Sequence, residues 1–412
     1  MSGMLIIGAG LAGLTVAETL RAEGYEGSIT LIGDEAHAPY HRPPLSKGYL
    51  LGETREAQLM MRPAEVMAKK NIALKVGAGA TAIDRAAKQV TLGDGSTLAY
   101  DGLALCTGSR LRPLPLAGAD SQGVHGLRSL ADAKAIAAAL ETAQNVVIIG
   151  GGFIGLEVAS VARRKDKRVT VLEAADRLMA RVVAPLISHF YLDLHTRHGV
   201  EVVLSAAVSE LVSELIGHDG RIAAVRTKDG REFPADLVLV GIGIIPNAEL
   251  AQAAGLEVNG GIVIDACGRS SDPAIVAAGD CTARRLDDGS LRRLESVQNA
   301  LEQGRSAAAA LLGRERPFHA APWFWSDQYD VKLQMLGLTA GFDRVVTRGT
   351  VDANATTPKF SVYYYRAGKL IAIDSLNQPA EHMNGRKLFD KGISPTPAQA
   401  ADPAFDLGSL LI

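Results

Sequence analysis

Two glycine turns carry the first chemistry legible in this chain: Gly8-Ala9-Gly10-Leu11-Ala12-Gly13 and Gly150-Gly151-Gly152-Phe153-Ile154-Gly155. In G-x-G-x-x-G the first glycine permits the tight turn and the second lets backbone approach a pyrophosphate. The third allows close helix–strand packing, and the helix N-terminus then faces the phosphates. Both turns lie between an apolar strand and a helix, the context that makes the motif informative. The strand after the second turn ends "VTVLE", placing Glu173 where a carboxylate accepts the hydroxyls of an adenosine ribose. A 2′-phosphate would be repelled there, so NADH is expected over NADPH, with Arg177 and Arg181 close enough to soften that preference. At the equivalent place after the first turn stands Gly33, with Asp34 and Glu35 following it. One dinucleotide site for NADH leaves the other for a bound redox cofactor, and FAD is the natural choice because it accepts hydride and stores it.

Strand, turn, helix and strand must alternate to hold these turns. "MLIIG", "LAGLTVAETLRAEG" and "SITLIG" read that way, and "NVVIIG", "FIGLEVASVARR" and "RVTVLE" repeat the unit. Near-continuous apolar strands around an amphipathic helix indicate parallel βαβ units. "LALCTGS", "LVLVGIGIIPN" and "AIVAAGD" are further short strands ending in turn residues, whereas "SVYYYRAGKLIAIDSLN" alternates about Ala367–Gly368 as an antiparallel hairpin. The fold class expected is α/β, with two Rossmann-like dinucleotide-binding domains plus a C-terminal α+β domain. The expected division is an FAD-binding domain over 1–111 and 236–316, an NAD-binding domain over 112–235, and the C-terminal domain over 317–412.

The chain of 412 residues, 47% hydrophobic and 21% charged, has material for several cores. A net charge of −2 argues against nucleic acid as partner. No apolar run reaches the roughly 18 residues of a membrane span. No signal-peptide pattern opens the sequence, and Cys106, Cys267 and Cys281 lack CxxC spacing, so a reduced, cytoplasmic setting is expected. The nine histidines show no ligand spacing, and no metal site is expected.

Gly279-Asp280-Cys281, after an apolar strand, resembles the turn of the two-dinucleotide-domain flavoproteins of the glutathione-reductase superfamily. "YHRPPLSKGYL", "RLESVQNALEQG" and "PWFWSDQYDVKLQMLGL" narrow the likeness to the FAD-dependent ferredoxin reductases that feed bacterial monooxygenases and Rieske dioxygenases. The resemblance covers nearly the whole chain. It implies FAD contacts from Gly8, Gly10, Leu11, Ala12, Gly13, Asp34, Glu35, Arg42, Lys47, Ala80, Arg112 and Asp280. Ser296 and Val297 would bring a helix N-terminus to the flavin pyrimidine ring, and Trp325 would lie at the flavin edge with Trp323 packing behind it. For NAD it implies Gly150, Gly152, Phe153, Ile154, Gly155, Glu157, Glu173, Arg181, Ile242 and Gly243. The family's ATG turn reads Cys106-Thr107-Gly108 here, a small apolar replacement expected to matter little.

The resemblance also implies a Lys47–Glu157 pair beside the flavin, so that Lys47, Glu157 and Trp325 form the catalytic set. Disulfide reductases place a redox cysteine in the region that reads "APYHRPPLSKGYL" here, which holds none. Electrons are then expected to leave for a [2Fe–2S] ferredoxin, a one-electron acceptor that serves an oxygenase. Such ferredoxins are usually acidic, and a basic rim of Arg284, Arg285, Arg292 and Arg293 is the docking candidate, with Arg386 and Lys387 second. A monomer or weak dimer is expected. The alternatives are a rubredoxin reductase, an NADH oxidase, or an NADH-responsive flavoprotein resembling apoptosis-inducing factor.

Overall fold

The computed structural model describes residues 3–216 and 219–411. They fall into two compact units, each assembled from separated pieces of chain. The first unit comprises 1–41, 56–110 and 244–320; the second comprises 42–55, 111–243 and 321–412.

In the first unit, the strand Gly3–Ile7 is buried at every position and pairs in parallel with Ile29–Ile32 on one side and Thr97–Leu105 on the other. Ile72–Lys75 extends the sheet beyond Ile29–Ile32, and Ile275–Ala277 joins it in parallel against Thr97–Leu105. Antiparallel strands Gln89–Leu92 and Ala80–Asp84 complete the seven. The helix Leu11–Ala22 buries Leu14, Val16, Ala17 and Leu20 against this sheet. It also packs on the helix Val297–Leu311, where a Cβ on Gly304 would meet the Thr15 Cβ at 2.9 Å. A residue without a side chain is required at that crossing.

The second unit holds a five-stranded parallel sheet in the order Val200–Val203, Arg168–Leu172, Asn145–Ile149, Leu237–Val240 and Val124–His125. The helices Phe153–Arg164 and Pro185–Arg197 connect its strands. A three-stranded antiparallel sheet, Val208–Ile216, Asp219–Thr227 and Glu232–Pro234, is inserted before Leu237. The C-terminal part is a five-stranded antiparallel sheet, ordered Trp323–Gln328, Val331–Gly337, Lys369–Leu376, Phe360–Arg366 and Arg344–Gly349, with the helix Pro379–Asp390 on it. The hairpin expected about Ala367–Gly368 is formed by Phe360–Arg366 and Lys369–Leu376.

The boundaries differ from the expected ones in two places. Leu237–Val240 pairs with Asn145–Ile149, so the return to the first unit comes after Gly243 and not at 236. Apolar periodicity reveals a buried strand but not which sheet receives it. Residues 42–55 group with the second unit although they lie within the expected 1–111, and 321–412 group with it too while keeping a sheet of their own. Among the described residues no helix is long and apolar enough to cross a membrane.

Candidate functional site

The first glycine turn follows from the sheet. Gly8 N–H donates to the Ile32 carbonyl at 2.8 Å, joining the ends of two parallel strands. Its φ is +109°, and a Cβ there would stand 2.0 Å from the Cys106 carbonyl oxygen. Only glycine fits. A Cβ on Gly13 would stand 2.0 Å from the Gly8 carbonyl oxygen, so helix and turn touch without a side chain between them. Gly10 is different: its Cβ direction meets no heavy atom within 4 Å, and no side chain caps the helix that begins at Leu11. Clear space beside uncapped N–H groups is what a pyrophosphate requires.

Asp280 is brought to this turn by its neighbours. A Cβ on Gly279 would lie 3.0 Å from the Ala12 Cβ, and the Ser109 hydroxyl donates to Asp280 Oδ2 at 3.2 Å. The Gln303 carbonyl oxygen is the anchor: it accepts Gly279 N–H at 2.8 Å, the Thr282 hydroxyl at 3.0 Å and the Asn299 amide at 3.2 Å. Gln303 sits on the helix Val297–Leu311, whose N-cap Ser296 accepts Asn299 N–H at 3.1 Å. Thus the turn before Asp280 and the helix start at Ser296 are tied together through Gln303 and Asn299. Of the two carboxylates after Gly33, Asp34 is exposed, whereas Glu35 accepts the buried Tyr40 hydroxyl at 2.6 Å. Asp34 Oδ1 accepts the Glu35 N–H at 3.0 Å, so both carboxylates are held. Half-buried Ala80 opens the strand just past Ala78, whose N–H donates to the Gly33 carbonyl at 2.9 Å.

The second turn repeats the first. Gly150 has φ +110° and donates to the Leu172 carbonyl at 2.8 Å. A Cβ on Gly155 would lie 2.2 Å from the Gly150 carbonyl oxygen, while Gly152 is clear to 4 Å and its helix uncapped by side chains. Glu173 accepts Gly151 N–H at 2.6 Å and Ala175 N–H at 2.7 Å, which fixes its carboxylate against the turn. Arg177 is committed elsewhere, to Val183 O and the Ser188 hydroxyl at 2.8 and 2.9 Å, and Arg181 is exposed. Ile154 is 42% exposed at the helix start, and Phe153 packs on Phe324 with centroids 5.0 Å apart. Ile242 and Gly243 are half-buried, and Gly243 O accepts Arg112 N–H at 3.0 Å. The Arg112 side chain is exposed, and the Arg42 guanidinium donates to the Arg128 carbonyl at 2.7 Å.

Lys47 and Glu157 meet in the second unit. Lys47 Nζ lies 2.7 Å from Glu157 Oε2, and the carboxylate side chain is only 1% exposed. The Ser46 hydroxyl adds a 2.5 Å bond to the same oxygen, and the Ser326 hydroxyl bonds Oε1 at 2.6 Å. Taking a carboxylate out of water costs several kcal/mol, roughly, unless such partners offset it. Strand alternation in Trp323–Gln328 buries Ser326 and Gln328 on one face and places Trp325 beside Trp323, centroids 5.6 Å apart. The strand that carries Trp325 therefore also holds Glu157. Ser46, Ser326 and Gln328 were missed in the sequence, as were Asn299 and Gln303. The signal for the strand pair was polar Ser and Gln two residues apart in an aromatic strand.

The arginine run is less available than its sequence suggests. Arg284 donates to the Phe318 carbonyl and lies over its ring, with burial pulling its guanidinium down. Arg285 pairs with Glu257 and Arg293 with Glu295, leaving Arg292 exposed on the neighbouring strand. Arg386 instead lies 5.3 Å from the Trp323 ring centroid, with Lys387 exposed beside it. All three cysteines are buried, and burial pushes the Cys106 and Cys281 thiols up, away from thiolate chemistry.

Residues 3–304 match the family described as pyridine nucleotide-disulphide oxidoreductase, and 323–411 match the reductase C-terminal family. The chain is 45% identical to rhodocoxin reductase of Rhodococcus erythropolis, over 98% of this chain and 93% of that one. Among solved structures it is similar to the ferredoxin reductase for the CYP199A2 system from Rhodopseudomonas palustris, at 44% identity, full coverage of both chains and a TM-score of 0.95. It is also similar to the reductase in a covalent putidaredoxin reductase–putidaredoxin complex, at 42% identity, covering 100% of this chain and 98% of that one, with a TM-score of 0.94.

Proposed function

The chain belongs to the pyridine nucleotide-disulphide oxidoreductase family and carries its reductase C-terminal domain, and from that premise we propose that it passes electrons from NADH through FAD to a [2Fe–2S] ferredoxin serving an oxygenase. Members of this family work with FAD and NAD(P)H. The chemistry FAD supplies when bound is acceptance of a hydride and release of its two electrons singly.

The observation that carries the reading is the buried Glu157 carboxylate holding Lys47, in a segment where a disulfide reductase would present thiols. With every cysteine buried, a protein dithiol is not on offer as the next carrier. The residues present fit the cofactors. The Gly8 turn, Asp280 and Glu35 would hold FAD, and the helix start at Ser296–Val297 would favour negative charge near it. The Gly150 turn would bind the NADH pyrophosphate, and Glu173 would accept the ribose hydroxyls and repel a 2′-phosphate. Lys47 places a fixed cation for developing charge in a water-poor site, an effect of a few kcal/mol, roughly. Hydride transfer needs alignment and no general acid, which matches a site built from a salt bridge, hydroxyls and aromatic rings. Trp325 would border the flavin, and Arg386 with Lys387, next to Trp323, would receive an acidic ferredoxin. A cytoplasmic location completes the proposal, because reduced pyridine nucleotide and a reduced iron–sulfur partner must be at hand.

The test is NADH-driven reduction of cytochrome c with and without a bacterial [2Fe–2S] ferredoxin. A large ferredoxin-dependent rate, with NADPH poor, is expected. A rate indifferent to several ferredoxins would move the oxidase reading ahead.

A further inference from the structure

Behind Glu157 runs a buried line of side chains that the reaction as described does not use. Ser326 Oγ lies 2.6 Å from Glu157 Oε1, Gln328 Nε2 lies 3.1 Å from Ser326 Oγ, and His195 Nε2 lies 2.8 Å from Gln328 Oε1. All four residues are no more than 1% exposed. Beyond them the Tyr329 hydroxyl faces His195 Nδ1 at 3.4 Å, and the His198 ring stacks on Tyr329 at 3.7 Å.

The direction of every proton in this line is fixed. A carboxylate only accepts, so Ser326 must donate to Glu157 and its oxygen must accept from the Gln328 amide. The Gln328 carbonyl then faces His195, whose Nε2 must carry the hydrogen. Burial agrees, pulling the His195 imidazole down to about 4 and keeping it neutral with one donor nitrogen. An amide is a poor proton conductor, so the line orients and does not relay. Without the His195 donor, Gln328 is free to turn and offer its carbonyl to Ser326. The serine hydroxyl would then be shared between the amide carbonyl and Glu157, and the bond it gives the carboxylate would weaken.

We propose that His195, on the helix Pro185–Arg197, is a positioning residue for hydride transfer, acting through Gln328 and Ser326 on the Glu157–Lys47 pair. The inference rests on the reading of that pair as the one beside the flavin.

The test compares His195→Phe, which keeps a ring and removes the donor, with His195→Gln, which can restore an N–H near Nε2. Lys47→Met is measured in parallel on FAD-loaded protein. The readouts are the rate constant of flavin reduction by NADH, the flavin midpoint potential, and the melting temperature. His195→Phe is expected to slow reduction roughly tenfold, the worth of one charge-assisted hydrogen bond, and to move the potential in the same direction as Lys47→Met. His195→Gln should return to within about twofold of wild type, a change too small to represent a lost hydrogen bond. A lowered melting temperature with rate and potential unmoved would overturn the proposal, because His195 would then only support the fold. Should His195→Phe fail to fold, Gln328→Met carries the same expectations. The double variant His195→Phe with Ser326→Ala should be no slower than Ser326→Ala alone, and multiplied effects would contradict a path through Ser326. If Lys47→Met itself changes neither rate nor potential, the reading of the pair fails. If Lys47→Met acts and His195→Phe does not, only the positioning role fails.

Discussion

A Cβ on Gly13 would stand 2.0 Å from the carbonyl oxygen of Gly8, whereas one on Gly10, between them, would touch nothing within 4 Å. The second turn has the same contrast, 2.2 Å for Gly155 against Gly150 and clear space at Gly152. Packing requires one glycine, and the other leaves the space beside the helix N-terminus open. Gly152→Ala should therefore keep its stability within about 0.5 kcal/mol while weakening NADH binding roughly tenfold or more, since the new methyl enters the phosphate approach. Gly155→Ala should instead lose ~1–3 kcal/mol or more from overpacking. Melting curves and NADH titrations on both variants separate the two roles.

Glu173 makes a prediction about cofactor choice. Its carboxylate is held by Gly151 and Ala175 N–H groups and remains able to accept from a ribose. Glu173→Ala should lower kcat/KM for NADH by roughly tenfold, the loss of hydrogen bonds to a charged group, and leave NADPH less affected. Steady-state ratios for the two nucleotides measure this directly.

Both turns were legible in the sequence because each couples a glycine pattern to flanking apolar strands. The place of Glu173 against its turn was legible from the end of "VTVLE". The partners that fix Glu157 were not, because Ser46, Ser326 and His195 come from three distant stretches, and only the fold makes them neighbours. Gln303 was hidden similarly: one glutamine carbonyl accepting from Gly279, Thr282 and Asn299 leaves no periodic trace. The arginine run was legible as charge, but composition does not show that Arg284, Arg285 and Arg293 already have partners. The unit boundary at Gly243 was missed because a buried strand reads alike in either sheet.

Asp374 sets a pH dependence. Burial pushes its carboxyl up to about 7, partly offset by the Tyr364 hydroxyl that donates to it at 2.5 Å. The folded state then holds a proton that the unfolded chain releases near its ordinary value of about 3.9. This contribution is fully present below that value and is lost as pH rises through about 7, amounting to a few kcal/mol, roughly. Asp374→Asn should gain stability relative to wild type between about pH 4 and 7 and show a constant difference above. Denaturant midpoints across that range check it.

Docking is expected at Arg386 and Lys387, where a guanidinium already lies against Trp323. Lys387→Glu should raise the KM for ferredoxin several-fold at low salt, with the effect shrinking as salt rises. Arg292→Glu, on the other basic stretch, should do much less. Ferredoxin titrations at two ionic strengths distinguish the faces.

The most direct measurement mixes NADH anaerobically with the FAD-loaded protein and an excess of oxidised [2Fe–2S] ferredoxin, following the reduced cluster by electron paramagnetic resonance. Two reduced ferredoxins are expected for each NADH consumed, because one hydride carries two electrons and each cluster takes one. NADH oxidation that leaves the clusters oxidised, under conditions where ferricyanide is reduced, would contradict it.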